Sequence, residues 1–284
     1  MDGTKTGALA APTVIIQPPK KWAALNVRDL WGHRELFWMF AWRDLTIRYK
    51  QTELGVAWAV LQPFFTMIVF SLVFGRLAGL GTDIGGLPYP VFTFTAILPW
   101  NYFQGTVTRA SNVLVDSANL VTKVYFPRLL LPLSTVVSGL VDLAIAFVVL
   151  LGLMLFYRIM PGWGVVVLPF FVLLAGAAAL AVGLWLGALN VEYRDVRFIT
   201  PFLTQIWMYL TPVVYPISKV PARYVMLYSI NPMVGVVEGF RWALLKSVPF
   251  PTVPLAMGIA VTVPLLISGL YFFRRMERIF ADVV

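Results

Sequence analysis

Two short stripes of side chains hold most of the binding chemistry legible in this sequence. Trp58, Gln62, Phe65 and Val69 recur at helical spacing, and so do Phe198, Phe202, Gln205 and Tyr209. Aromatic rings stack on the C–H faces of sugars, while Gln and Tyr hydrogen-bond hydroxyls, so a mixed stripe suits a long carbohydrate better than an inorganic ion. Ordinary helix packing accounts for the same residues equally well. A third group, Arg43, Arg48 and Lys50, follows Trp38 and Trp42; its long stems could reach anionic phospholipid headgroups from a helix lying at the interface.

Other chemistries lack their parts. With no Cys and one His there is no material for a disulfide framework, an iron–sulfur cluster or a Cys/His zinc site, and neither a metal site nor a catalytic residue is assigned. The GxxxxGK[ST] loop that cradles a triphosphate is missing, so any nucleotide hydrolysis belongs to a partner. Asp142 is the one acid deep within an apolar block, a thin basis for a proton pathway. The favoured reading of Asp142 is structural: it pairs with a Ser, Thr, Gln or backbone N–H, or stays neutral among apolar groups.

The elements that position these residues belong to a membrane protein. Of 284 residues 60% are hydrophobic, and between Leu129 and Val191 the only charges are Asp142 and Arg158. No soluble surface is so poor in charge, and a crossing helix needs about 20 apolar residues. Six blocks qualify, at 56–75, 91–110, 131–157, 165–189, 198–217 and 253–273. The second is the weakest, interrupted by Pro99, Asn101, Gln104 and Arg109. Sixteen Lys and Arg residues fall on the side of the N terminus and six on the other, which places both termini in the cytoplasm. The net charge of +9 therefore reports topology and does not point to nucleic acid.

The expected fold is an all-α polytopic membrane protein with a polar N-terminal tail (1–29) and one membrane domain (30–284). An amphipathic interfacial helix covers 30–50. A short cytoplasmic helix starts at Ser111 and Asn112 and stops at Pro127, and "NVEYRDVR" (190–197) forms a second cytoplasmic protrusion. Beyond Lys219 the chain is too broken by Pro221, Asn231, Pro232 and Gly235 for one crossing and too apolar for an exposed loop, so two short or re-entrant helices are expected on the outer side. Gly183 and Gly187 form a small-xxx-small pair that permits close helix approach.

From Leu30 onward the chain resembles the membrane permease of bacterial ABC transporters that export polysaccharides such as O-antigen, capsule and teichoic acid. The most specific segment is "WRDLTIRYKQTELGVAWAVLQP" (42–63), where a basic helix passes through a Leu-Gly turn into a Trp-containing span. "YFPRLLLPLS" (125–134), "LNVEYRDVRFITPFLTQIWMYLTPVVYP" (189–216) and "NPMVGVVEGFRWALL" (231–245) agree as well.

The resemblance implies a homodimer seated on two cytoplasmic ATPase subunits in the bacterial cytoplasmic membrane. This chain then carries no cofactor, and ATP and Mg bind the partner. It further implies coupling elements around Asp116, Asn119 and Lys123 and around Glu192, Arg194 and Asp195. Arg43, Arg48 and Lys50 would contact the diphosphate of a lipid-linked polysaccharide, Trp58, Gln62, Phe65, Phe202, Gln205 and Tyr209 would line its path, and Asn231, Glu238 and Arg241 would belong to the outer re-entrant element. The alternatives are a drug or lipid exporter of the same superfamily, an ion-driven flippase and a scaffold without transport.

Overall fold

The structure, a computed structural model, describes residues 27–50, 55, 57–82, 84–246, 248–277 and 280; most of the expected tail lies outside them. Eleven α-helices and no strand occur among the described residues. The expected interfacial helix is two helices, α1 (Val27–Gly32) and α2 (Arg34–Lys50), with the break at Gly32 and His33. Glycine inside a helix costs about 1 kcal/mol relative to alanine, so the chain turns there cheaply.

Among the described residues, four helices are long and apolar enough to cross a membrane. The first is α3 (Ala57–Phe70) with its π-helical continuation Ser71–Leu77. The others are α6 (Leu130–Phe156), α7 (Leu168–Glu192, entered through a 3-10 turn from Trp163) and α11 (Thr252–Met276). The two further expected spans fall at α4 (Tyr89–Asp116) and α8 (Val196–Tyr209), and each differs from its block for a physical reason.

At 28 residues, α4 is about 42 Å long, more than a bilayer core requires. Its polar interruptions are tolerated because protein surrounds it: every residue from Val91 to Trp100 is buried, and α3, α6, α7, α8 and α10 (Pro232–Leu244) pack around it. A helix screened from lipid needs no unbroken apolar surface. By contrast, α8 has 14 residues and ends at Tyr209, not at 217. Pro212 and Pro216 have no N–H with which to continue the ladder.

The closest helix pair is α4 with α7, and the small residues of "GLWLG" permit it. A Cβ on Gly183 would stand 2.6 Å from the Ala110 Cβ, and one on Gly187 would stand 2.8 Å from the Ala110 carbonyl oxygen.

Connecting segments gather at two ends. At one end lies α5 (Ala118–Lys123), the expected short helix. It does not begin at Ser111: both Ser111 Oγ (2.9 Å) and Asn112 Nδ2 (2.8 Å) donate back to the Thr108 carbonyl, so α4 continues to Asp116. The start of α6 meets the end of α11 at this same end, through the Arg128 guanidinium donating to the Glu277 carbonyl. At the far end, α9 (Ala222–Tyr228) and α10 are the two short helices expected after Lys219. Nearly every residue of α10 is buried, which explains why this stretch reads as apolar without being a span.

Candidate functional site

The two stripes are surface features of the single chain. On α3, Trp58 is 53% and Phe65 58% exposed, with Gln62 exposed between them. On α8, Phe202 is 65% and Tyr209 50% exposed, and Gln205 is exposed and donates to the Tyr209 hydroxyl at 3.5 Å. The face of α8 turned to the protein carries Val196, Thr200, Thr204 and Met208, one residue per turn. Helices α3 and α8 both lean on α4, and among the described residues no ring pair joins one stripe to the other. Packing within the chain therefore leaves much of these six side chains uncovered.

The basic helix is inside out relative to expectation. Trp31, Trp38 and Trp42 point away from the protein, at 71%, 62% and 72% exposure, while Arg43, Asp44 and Arg48 point in. Arg43 donates to Ser117 Oγ at 3.0 Å and lies over the Phe40 ring. Arg48 donates to Asp44 Oδ2 at 2.8 Å and also to Asp142. Tyr49 donates to Asp142, and Ser138 donates to Asp44. Arg109 of α4 closes a four-charge ring, 4.0 Å from Asp44 and 3.7 Å from Asp142.

Asp142 thus plays the structural part expected of it, but its partners are an arginine and a tyrosine on a different helix. Tyr49 is pushed up to about 12, by burial first and then by its bond to Asp142, so its hydroxyl keeps the proton it donates. Of the three expected anion contacts, Arg43 and Arg48 are held by protein groups and Lys50 is exposed. Sequence reasoning missed Arg109, Asp44 and Ser138 as members of this cluster. One signal was present: Arg109 and Asp142 are lone, opposite charges in two neighbouring apolar blocks.

The expected coupling residues lie together at the α5 end. Asp116 closes α4 and its carboxylate is 3.6 Å from Arg197 at the start of α8; both are more than half exposed, so the pair adds little stability. Asn119 and Lys123 are exposed on α5, and Glu192, Arg194 and Asp195 are exposed at the turn between α7 and α8. The side chain of Glu192 raises the Tyr193 hydroxyl above its ordinary value, by hydrogen bonding first and charge second. Asn190 Nδ2 ties the last turn of α7 to α4, donating to the Ser111 carbonyl at 2.8 Å and to Asn112 Oδ1 at 3.1 Å. Val124 and Tyr125, at 50% and 87% exposure, add an apolar edge that the sequence reading did not single out.

At the far end Glu238 and Arg241 are buried and Asn231 is partly buried. Asn231 caps α10, its Oδ1 accepting from the Met233 N–H at 3.0 Å and its Nδ2 donating to Thr211 Oγ1 at 2.9 Å. Arg241 is fully buried and pairs with Glu238 at 2.8 Å. It also donates to the Val213 carbonyl at 2.8 Å and the Tyr215 carbonyl at 3.4 Å, and it lies 3.7 Å from the Phe92 ring centroid. These bonds hold the irregular stretch after α8 that Pro212 and Pro216 leave without helical partners. A cavity of about 670 Å³ opens beside Glu238, walled by Phe92, Phe250 and prolines.

Among the described residues no group of His, Asp and Glu could hold a metal ion. The arrangement has instead the parts of a membrane subunit: an open aromatic face, an exposed loop end and buried charge clusters that fix the helices. Comparison with known proteins agrees. Residues 35–245 match the family model "ABC-2 type transporter". The chain is 33% identical over 261 residues to an O-antigen export system permease protein of Myxococcus xanthus, covering 91% of this chain and 98% of that one. It is 23% identical over 249 residues to an O-antigen export system permease protein of Klebsiella pneumoniae, and 21% identical over 250 residues to a polysialic acid transport protein of Escherichia coli. Coverage is 85% of this chain and 92% of the relative in the first case, and 83% and 91% in the second. With the matched family region reaching from the start of α2 to the end of α10, this multi-pass membrane chain belongs to the ABC-2 type transporter family.

Proposed function

We propose that the chain is the permease subunit of an ATP-driven exporter that moves undecaprenyl-diphosphate-linked polysaccharide across the bacterial cytoplasmic membrane. The observation that carries this reading is the pair of stripes on α3 and α8, left open by the fold of one chain. Two copies placed with these faces toward each other enclose a path of Trp, Phe, Tyr and Gln side chains, suited to the alternating C–H faces and hydroxyls of a glycan. Motive force comes from two ATPase subunits, with their ATP and Mg, docked on the α5 end. That end then faces the cytoplasm, as do both termini. The chain itself is non-catalytic, and its Trp-bearing helix contacts membrane phospholipids.

Reconstitution of the chain with its ATPase subunit in vesicles tests the reading. ATP-dependent movement of lipid-linked polysaccharide is expected. Movement of small drugs or phospholipids alone would favour the other exporter classes, and movement driven by a proton gradient without the ATPase would establish an ion-driven flippase. Within the same assay, Phe202→Ala and Tyr209→Ala are each expected to lower export about two- to tenfold, the worth of one stacking contact. Because both rings are exposed, thermal unfolding of the purified chain should hardly change; a parallel loss of stability would show that they only pack.

A further inference from the structure

The charge ring and the α5 end share one helix. The α5 side of α2 carries Phe40, whose ring is 5.3 Å from that of Phe126, and Arg43, bonded to Ser117. One turn on, Asp44, Arg48 and Tyr49 engage α6 and α4 through Ser138, Asp142 and Arg109. Thus α2 is fastened to the loop before α5 by one set of contacts and to two membrane helices by another, and one of these, α6, packs against α3 with the first stripe.

Space for the ring is built in. A Cβ on Gly139 would stand 2.6 Å from Arg109 Nη2, 2.9 Å from Thr106 Oγ1 and 3.0 Å from the Tyr102 ring. The guanidinium of Arg109 occupies the room which that glycine leaves between α4 and α6. Charges are balanced, two arginines against two aspartates, so the ring is not a ready site for a free ion. Its consequence is mechanical: α2 cannot slide along α6 without breaking several bonds at once.

We propose that Asp142 and Arg109 are positioning residues for export: through Asp44, Arg48 and Tyr49 they lock α2 to α4 and α6, so that a displacement of α5 is delivered to the α3 stripe and not dissipated at the interface. The proposal rests on the permease reading above, in which the ATPase acts on the α5 end. Packed side chains and hydrogen-bond networks can carry coupling between distant sites, and Ser117–Arg43–α2–ring–α6, with α3 packed on α6, is such a network.

The test uses the assembled permease–ATPase complex in vesicles, with lipid-linked polysaccharide extracted from the source cells as the probe. Asp142→Asn, Arg109→Gln and the milder Tyr49→Phe and Ser138→Ala are compared for ATP hydrolysis, export and thermal midpoint. The two milder variants remove one hydroxyl each and keep the ring charges, so they guard against simple misfolding. The expected result is hydrolysis within about twofold of the parent and export reduced about tenfold or more for Asp142→Asn, a coupling loss in the usual range, with Asp142→Glu restoring part of it. Smaller losses of the same kind are expected for Tyr49→Phe and Ser138→Ala. Export and hydrolysis falling in proportion, or both unchanged, would overturn the positioning role while leaving the permease reading intact. A parent complex that hydrolyses ATP but exports no polysaccharide would overturn the permease reading itself, and this proposal with it.

Discussion

Arg241→Leu is expected to cost about 3 to 5 kcal/mol of stability, because it removes one partner of a buried ion pair and strands the other. Glu238 is 4% exposed, and among the described residues no other cation pairs with its carboxylate. Two carbonyls, those of Val213 and Tyr215, lose their donor at the same time. Thermal unfolding in detergent should show the loss directly. Glu238→Gln should also destabilise: the amide oxygen still accepts from Arg241, but the buried guanidinium loses its counter-charge. The double variant Glu238→Leu, Arg241→Leu should recover part of the stability, the remainder belonging to the two carbonyls. If Arg241→Leu unfolds at the parent temperature, the pair does not hold the far end together.

Gly239→Ala is the second large effect expected. A Cβ there would stand 2.1 Å from Cε1 and 2.4 Å from Cδ1 of Phe171, a ring with no exposed surface. The ring cannot swing into open space, so either α10 or α7 must shift. Overpacking of this kind costs about 1 to 3 kcal/mol, occasionally more. Phe171→Leu on the Gly239→Ala background should return part of the loss by freeing that volume. Gly152→Ala on α6 is the control: nothing lies within 4 Å of its Cβ position, and alanine is the better helix former, so stability should hold or rise slightly. Equal behaviour of the two alanine variants would show that α10 does not pack on Phe171 as described.

Much of this architecture is legible from patterning, and the places where it is not share a cause. Apolar blocks report contact with lipid, so α3, α6, α7 and α11 stand out, whereas α4 is surrounded by protein and reads as the weakest block. The end of α8 was misplaced by eight residues because 210–217 is apolar without being helical. Hydropathy does not distinguish a buried irregular segment held by Arg241 from a continuing helix. Within the candidate site, the exposed stripes on α3 and α8 follow directly from helical periodicity. The ring of Asp44, Arg48, Arg109 and Asp142 does not, since its members come from three elements, and a charge on an interfacial helix looks the same in sequence whether it faces phosphate or an aspartate.

The inward-facing charges of α2 also bear on how the chain is made. Arg48 and Asp142 are 94 residues apart in sequence, and Arg109 lies between them. When α2 leaves the ribosome none of its membrane partners exists, so its arginines and Asp44 must remain at the hydrated surface of the bilayer. Only after α4 and α6 have been threaded into the membrane can α2 turn its charges inward and its tryptophans out. Helix α2 therefore takes its final seat only after α6 is in place, and the completed ring marks the correct assembly of the segment from α2 to α6.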